Sequence, residues 1–414
     1  MRLLPLPTRR PWRISLSKPV RILHTADWHA GRTLMGRDRN LELRSALAEL
    51  AEAARSREVD LVLVAGDLFD NRNPTAEAEA AVYGFFRELA SAGIRSVVIA
   101  GNHDSPRRLD AVSGLLEQAG AFVVGEVRTH QQGGVFSTVI RGQPVSVAAL
   151  PFASERRLLS AARQRELSDA ERKPEYRQIM ARLIADLTRD FGNSSVNLLM
   201  MHGTMEGARL SKSEYEFHSS EHYVLGASMV PGSVQYLALG HIHEAQKVSG
   251  LQEFRGRYSG SLIQLDFGET GQDKFAFVVE VAPGRPAETV EAIRIQSGRR
   301  LEEHRLSIDR LERTSLELAG SPAWLKLRLQ LSEPRPGLRE RIMRELPNVL
   351  AVVSEVSGAD EQPEVTDIVS SDHLDLPGEY RRYSRELRGA EPSERVLSAF
   401  RDLHAQTFED RDQR

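Results

Sequence analysis

Six short apolar runs constrain this chain more than any other feature: VRILHTA from Val20, DLVLVAG from Asp60, SVVIAG from Ser96, VSVAAL from Val145, NLLMMHG from Asn197 and YLALG from Tyr236. Several are too continuously apolar to lie at a solvent-exposed sheet edge, so they read as strands covered on both faces. Amphipathic stretches separate them. One runs from about Asn40 to Arg57, another from about Pro74 to Ala92, with Asn73 placed to cap, Pro74 in the first turn and Gly93 just past the end. Strands alternating with helices predict an α/β layered domain.

The pattern changes twice along the chain. Residues from about Ser154 to Phe191 are charged and helix-prone, which suggests a lid or a solvated face, and Ser211 to Glu221 is polar and Ser-rich, hence a loop. After about Glu280 come strand-like ETVEAIRIQ (from Glu288) and WLKLRLQL (from Trp324), helical GLRERIMREL (from Gly337) and strand-like VLAVVSEV (from Val349), a compact α+β pattern. The expected domains are an extension over 1–19, a large domain over 20–280, a small α+β domain over 281–360 and a linker with a helical tail over 361–414. In the tail Val396, Leu397, Phe400 and Leu403 fall on an apolar stripe suited to packing at home or on a partner helix.

The chain has no cysteine, so any metal must be held by oxygen and imidazole. Its net charge of -3 gives no direct sign of a polyanionic partner. No apolar run reaches the ~18 residues of a membrane span, and the first residues lack a signal-peptide core, so a cytoplasmic protein is expected.

Chemistry-bearing residues cluster where the strands end. Asp27 and His29 form D-x-H after the first run, and at a period of two both side chains leave one face. Asp67 leads out of the second run behind Gly66, where open α/β sheets place ligands, although an aspartate there also suits a helix cap. Asn102, His103 and Asp104 follow the third run as G-N-H-D, a grouping that turn chemistry does not call for. His202 ends NLLMM, and His241 and His243 end YLAL as G-H-I-H. Five of twelve histidines thus stand at strand ends beside two aspartates and an asparagine, the make-up of a metal site at a sheet's active edge.

That set suits phosphoester hydrolysis, in which two divalent ions about 3.5–4 Å apart activate water and neutralise charge on both sides of the displacement. Asp67 is the natural bridging carboxylate. The donors are too rich in nitrogen for magnesium or calcium and lack the sulfur of a structural zinc site, so manganese or iron fits. His103, between a ligand and an acid, is placed to donate a proton or to stabilise the leaving oxygen, with Asp104 orienting it.

Taken in order, D-W-H, G-D-L-F-D, G-N-H-D, M-H-G and G-H-I-H resemble the calcineurin-like metallophosphoesterase superfamily. Y-L-A-L-G-H-I-H-E-A-Q, R-Y-S-G-S, L-D-F-G-E and the following Lys274 resemble its bacterial SbcD-type nuclease subunits. The resemblance covers about Val20 to Glu280. It implies a four-layer αββα sandwich with a small α+β capping domain and a helical C-terminal tail. It implies that Asp27, His29 and His243 hold one metal, that Asn102, His202 and His241 hold the other, that Asp67 bridges, and that His103 is catalytic; from the donor chemistry, two divalent ions of Mn2+ type are expected. It further implies DNA as substrate, cut at duplex ends and in hairpins or single strands during repair and recombination. The implied assembly is a nuclease dimer with two SMC-like ATPase subunits of the SbcC type, docked through the tail stripe. Where archaeal and eukaryotic relatives carry a second catalytic histidine, this chain has Asp70.

Two other readings stand beside this one. A phosphatase or cyclic-nucleotide phosphodiesterase would use the same metals, although protein phosphatases carry G-D-x-V-D-R-G where this chain has Asp70-Asn71-Arg72-Asn73. A non-catalytic subunit that only tethers an ATPase would not need an intact ligand set.

Overall fold

The computed structural model describes residues 18–159, 169–211, 224–333, 335–356, 381 and 396. Two compact units divide the chain, Met1–Ser357 and Gly358–Arg414. The elements that follow belong to the first.

Two six-stranded mixed sheets pack face to face. In the first, β1 (Val20–Thr25), β4 (Leu61–Val64), β5 (Arg95–Ile99) and β6 (Ala121–Val124) are parallel. Antiparallel β13 (Phe275–Val281) and β14 (Thr289–Arg294) extend it beyond β1, giving the order β14-β13-β1-β4-β5-β6. In the second, β8 (Gln143–Leu150), β9 (Val196–His202), β10 (Tyr236–Gly240) and β12 (Gly256–Tyr258) are parallel. Antiparallel β7 (Val135–Ile140) and β11 (Gln246–Lys247) form its edges. A two-stranded hairpin joins β2 (Thr33–Leu34) to β3 (Arg37–Asp38).

Period-two alternation sends each central strand's side chains to two different cores. Ile22, Leu61, Leu63, Val97 and Ile99 meet Val147, Leu198, Met200 and Ala238 between the sheets. On the outer face of the first sheet Leu23, Val62, Val64 and Val98 pack under α1 (Asn40–Ser56), α2 (Ala76–Ser91) and α3 (Pro106–Gln118). The cap of α2 lies two residues later than the sequence suggested: Thr75 Oγ1 accepts the Ala78 N–H at 3.3 Å, and the helix starts at Ala76.

The charged segment after Ser154 departs from expectation. Beyond the single turn α4 (Glu155–Leu158), residues 169–187 form α5 (Asp169–Leu187), whose Tyr176, Met180, Ile184 and Leu187 are buried against Leu199, Met201 and Leu237 of the second sheet. These positions are spaced by four, four and three, one stripe of a helix whose remaining faces are polar. Over its described residues the helix covers the second sheet with one face, where a lid or a solvated face was expected.

A third sheet is smaller. Parallel β15 (Leu301–Ser307), β16 (Trp324–Leu331) and β17 (Val349–Val356) are joined by α6 (Ile308–Gly320) and α7 (Leu338–Glu345), with a leucine-rich core of their own. The strand expected near Glu288 is not part of it, since β14 pairs with β13 at the edge of the first sheet.

Candidate metal centre

Parallel strands of both sheets end at one rim, and every expected ligand lies just beyond or at such an end. Asp27 and His29 follow β1, Asp67 follows β4, Asn102 and His103 follow β5, His202 is the last residue of β9, and His241 and His243 follow β10. The loops after β1 and β4 are joined by backbone bonds: Asp27 N–H donates to Gly66 at 3.0 Å, and Trp28 and His29 N–H both donate to Asp67, at 2.8 and 3.1 Å. Trp28, between Asp27 and His29, is fully buried against Phe85 on the helix side.

The D-x-H pair is not an extension of the strand. Asp27, His29, Asp67 and His241 all hold positive φ, at 54°, 49°, 51° and 98°, a region that costs a non-glycine residue about 1–3 kcal/mol. The backbone is also crowded at the neighbouring glycines. A Cβ on Gly66 would collide with the His202 ring, one on Gly101 with the Asp67 carboxylate, and one on Gly240 with the Ala65 carbonyl. The glycines before D, N and H therefore allow backbone and ligands to approach.

Asp67 is buried at the centre. Its Oδ1 accepts the His103 N–H at 2.8 Å, and its Oδ2 lies 3.4 Å from His202 Nε2 and 3.7 Å from His29 Nε2. Asn102 Oδ1 lies 2.9 Å from His202 Nε2 and 2.8 Å from His241 Nδ1. Asp27 accepts the His241 N–H at 2.9 and 3.1 Å through its two oxygens, tying the sheets together. His243 Nδ1 donates to Glu269 Oε1 at 3.0 Å, and the His243 ring is 5.0 Å from that of His29. The ligand atoms of Asp27, Asp67 and His202 all lie within 4.8 Å of one another, as do those of His29, Asp70 and His103.

These donors fit a cation. His202 Nδ1 faces the Ala65 carbonyl at 2.8 Å, so that nitrogen must carry a proton. In the neutral ring Nε2 is then a lone pair pointed at two oxygens, which only a positive charge can reconcile. Burial works against charge on His202, but Asp67 and Asp27 outweigh it and raise the ring to about 9. Burial pushes Asp27 up to about 7. Burial also favours protonation of Asp67, yet His202, His103 and His29 overcome it and hold that carboxyl well below the usual range. Burial lowers His29 to about 4, and neither of its ring nitrogens has a well-formed hydrogen bond, as suits a neutral ligand.

Asp104 differs from expectation. Its oxygens accept three backbone N–H groups, from Leu68 at 3.2 Å, Phe69 at 3.0 Å and Gly101 at 2.8 Å, so it shapes the Asp67 and Asn102 loops. The contact that orients His103 comes from elsewhere: its Nδ1 donates to the backbone carbonyl of Asp70 at 2.9 Å. Short carboxylates after a glycine turn commonly satisfy local backbone, and the sequence offered no way to tell that role from a partnership with His103.

Other site residues emerge only in three dimensions. Asp70 Oδ1 lies 3.3 Å from His29 Nδ1 and 3.2 Å from Arg32 Nη1, so this acid stands between the imidazole and the guanidinium. Burial favours the neutral acid, but His29 and Arg32 hold Asp70 far below its usual range. Phe152 stacks on His241 with ring centres 6.0 Å apart and covers the site from the second sheet. Nothing about a lone Phe after a proline signals this. In the tail, Val396 is helical and exposed, while Leu397, Phe400 and Leu403 lie outside the described residues.

Residues 20–245 match the calcineurin-like phosphoesterase family model. The SbcD polypeptide of the Bacillus subtilis nuclease SbcCD is 29% identical over 390 residues, covering 93% of this chain and 97% of that protein. Its namesake from Rhodobacter capsulatus is 33% identical over 285 residues, 64% of this chain and 67% of its own. That of Escherichia coli K12 is 30% identical over 285 residues, 67% of this chain and 68% of its own. With the family match running through all five ligand-bearing loops, the chain belongs to the calcineurin-like phosphoesterase family, and SbcD nuclease subunits are among its relatives.

Proposed function

We propose that this chain is a divalent-metal-dependent DNA nuclease that cuts duplex ends and hairpin or single-stranded DNA in repair and recombination, in company with an SMC-like ATPase. The observation that carries the reading is the convergence of imidazole, amide and carboxylate donors on Asp67, with His202 Nε2 2.9 Å from Asn102 Oδ1 and 3.4 Å from Asp67 Oδ2. Asp27, His29 and His243 would hold one ion, Asn102, His202 and His241 the other, and Asp67 both. Manganese suits this mixture of imidazole and oxygen donors. When bound, two such ions lower the pKa of water and neutralise phosphoryl charge.

The chain's own residues supply the remainder. His103, its Nδ1 held by the Asp70 carbonyl, has its Nε2 as the proton-handling atom for the leaving oxygen. Phe152 shields the His241 side from water. Arg32, braced by Asp70, stands at the rim as a cation for a phosphate of the substrate strand. The small α+β unit is assigned the positioning of DNA as a cap over the αββα sandwich. The tail, through Val396, Leu397, Phe400 and Leu403, is assigned the ATPase partner in a two-plus-two assembly in the cytoplasm.

Cleavage of end-labelled linear duplex, compared with turnover of a phosphomonoester, both with manganese, tests the substrate class. Degradation of the duplex that disappears in Asp67→Asn and His103→Ala is expected. Turnover of the monoester with the duplex intact would make the chain a phosphatase instead.

A further inference from the structure

Among the described acids outside the proposed ligand set, Glu269 is the most deeply buried, with no exposed surface. Its Oε1 accepts from His243 Nδ1 at 3.0 Å. Its Oε2 accepts from Lys274 Nζ at 2.5 Å, from Ser261 Oγ at 3.2 Å and from the Leu265 N–H at 3.1 Å. Lys274, itself buried, also donates to the His243 carbonyl at 3.1 Å and to Gln272 Oε1 at 3.0 Å. The pair therefore clasps His243 by ring and by backbone.

A buried ion pair seldom stabilises a fold more than apolar residues of the same volume would. Its specific effect here is on the imidazole. A carboxylate that accepts from Nδ1 holds that nitrogen as the donor and fixes the ring angle, which turns Nε2 to the opposite side, while Lys274 counters the charge of the buried carboxylate. We propose that Glu269, balanced by Lys274, is a positioning residue that fixes His243 as a ligand and thereby sets the affinity of one of two ions. This rests on the dimetal reading above.

The segment that carries Glu269 also touches the third sheet. Phe267 packs with Leu301 and Leu350, and Gln264 bonds both the Glu269 carbonyl, at 3.0 Å, and the Leu301 N–H, at 2.7 Å. The clasp is thus anchored on two sides, and His243 inherits that rigidity.

Manganese binding to the full chain, followed by the loss of the free-ion EPR signal, tests the assignment. Wild type is expected to take up two ions. E269L/K274M removes both charges at similar volume and should fold, with one ion weakened about 10–100-fold and the other retained. E269Q/K274M restores an acceptor for Nδ1–H and should recover most of that loss. Were the leucine pair not to fold, E269D, which withdraws the acceptor but keeps the charge beside Lys274, should show the same one-ion defect. Two ions held as in wild type by the leucine pair, or by E269D in its place, would overturn the proposal. So would equal loss of both ions, or no recovery with glutamine. A wild-type chain that binds no ion would instead remove the dimetal reading itself.

Discussion

At the scale of single residues, the centre is a set of like-minded acceptors forced together. When no ion is present His202 carries a proton at neutrality, because Asp67 foremost outweighs burial and the ring is raised to about 9, and Asp27, raised by burial to about 7, is partly protonated there. A bound ion needs those protons gone. Uptake should therefore release protons, and affinity should climb as pH rises towards 9, by about tenfold per unit for each proton displaced. Calorimetry in buffers of different ionisation enthalpy measures this, and uptake without proton release would contradict it. The glycines give a second prediction. Gly101→Ala drives a methyl group into Asp67, so a stability loss of at least ~2 kcal/mol with weakened metal binding is expected. Gly114→Ala, with open space on α3, should instead gain about 0.5–1 kcal/mol. Denaturant unfolding of the two variants separates a steric cause from a general intolerance of substitution.

At the scale of elements, the strands that hold ligands were the legible ones. Each combines a continuous apolar run with a polar terminus, so β1, β4, β5, β9 and β10 could be located from composition alone. Two edge strands could not: β7 alternates between half-buried and exposed positions, and β6 is only four residues long. The helix α5 was misread because its apolar stripe is thin against many charges, and only the second sheet shows what it covers. Ile184→Ala should cost about 2–4 kcal/mol in urea unfolding, whereas an exposed lid would lose almost nothing. Asp104 and Glu269 were opaque for a related reason. A carboxylate's partner is set by the fold: Leu68 and Phe69 stand 36 and 35 residues from Asp104, and His243 stands 26 from Glu269.

At the scale of the molecule, neither sheet owns the site. The His241 N–H reaches Asp27 and His202 reaches the Ala65 carbonyl, both across the sheet interface, so ligands and inter-sheet core form together. Metal binding should accordingly stabilise the whole unit over Met1–Ser357, by about 2.7 kcal/mol at a hundredfold excess over Kd, and chelation should lower Tm by a matching amount. A Tm indifferent to chelator would mean that the ions, if bound, sit outside this junction. The most direct measurement is anomalous scattering from crystals grown with manganese. Two peaks are expected, both touching the Asp67 carboxylate, one beside His29 and His243 and the other beside Asn102, His202 and His241. A single peak, or peaks remote from Asp67, would contradict the account.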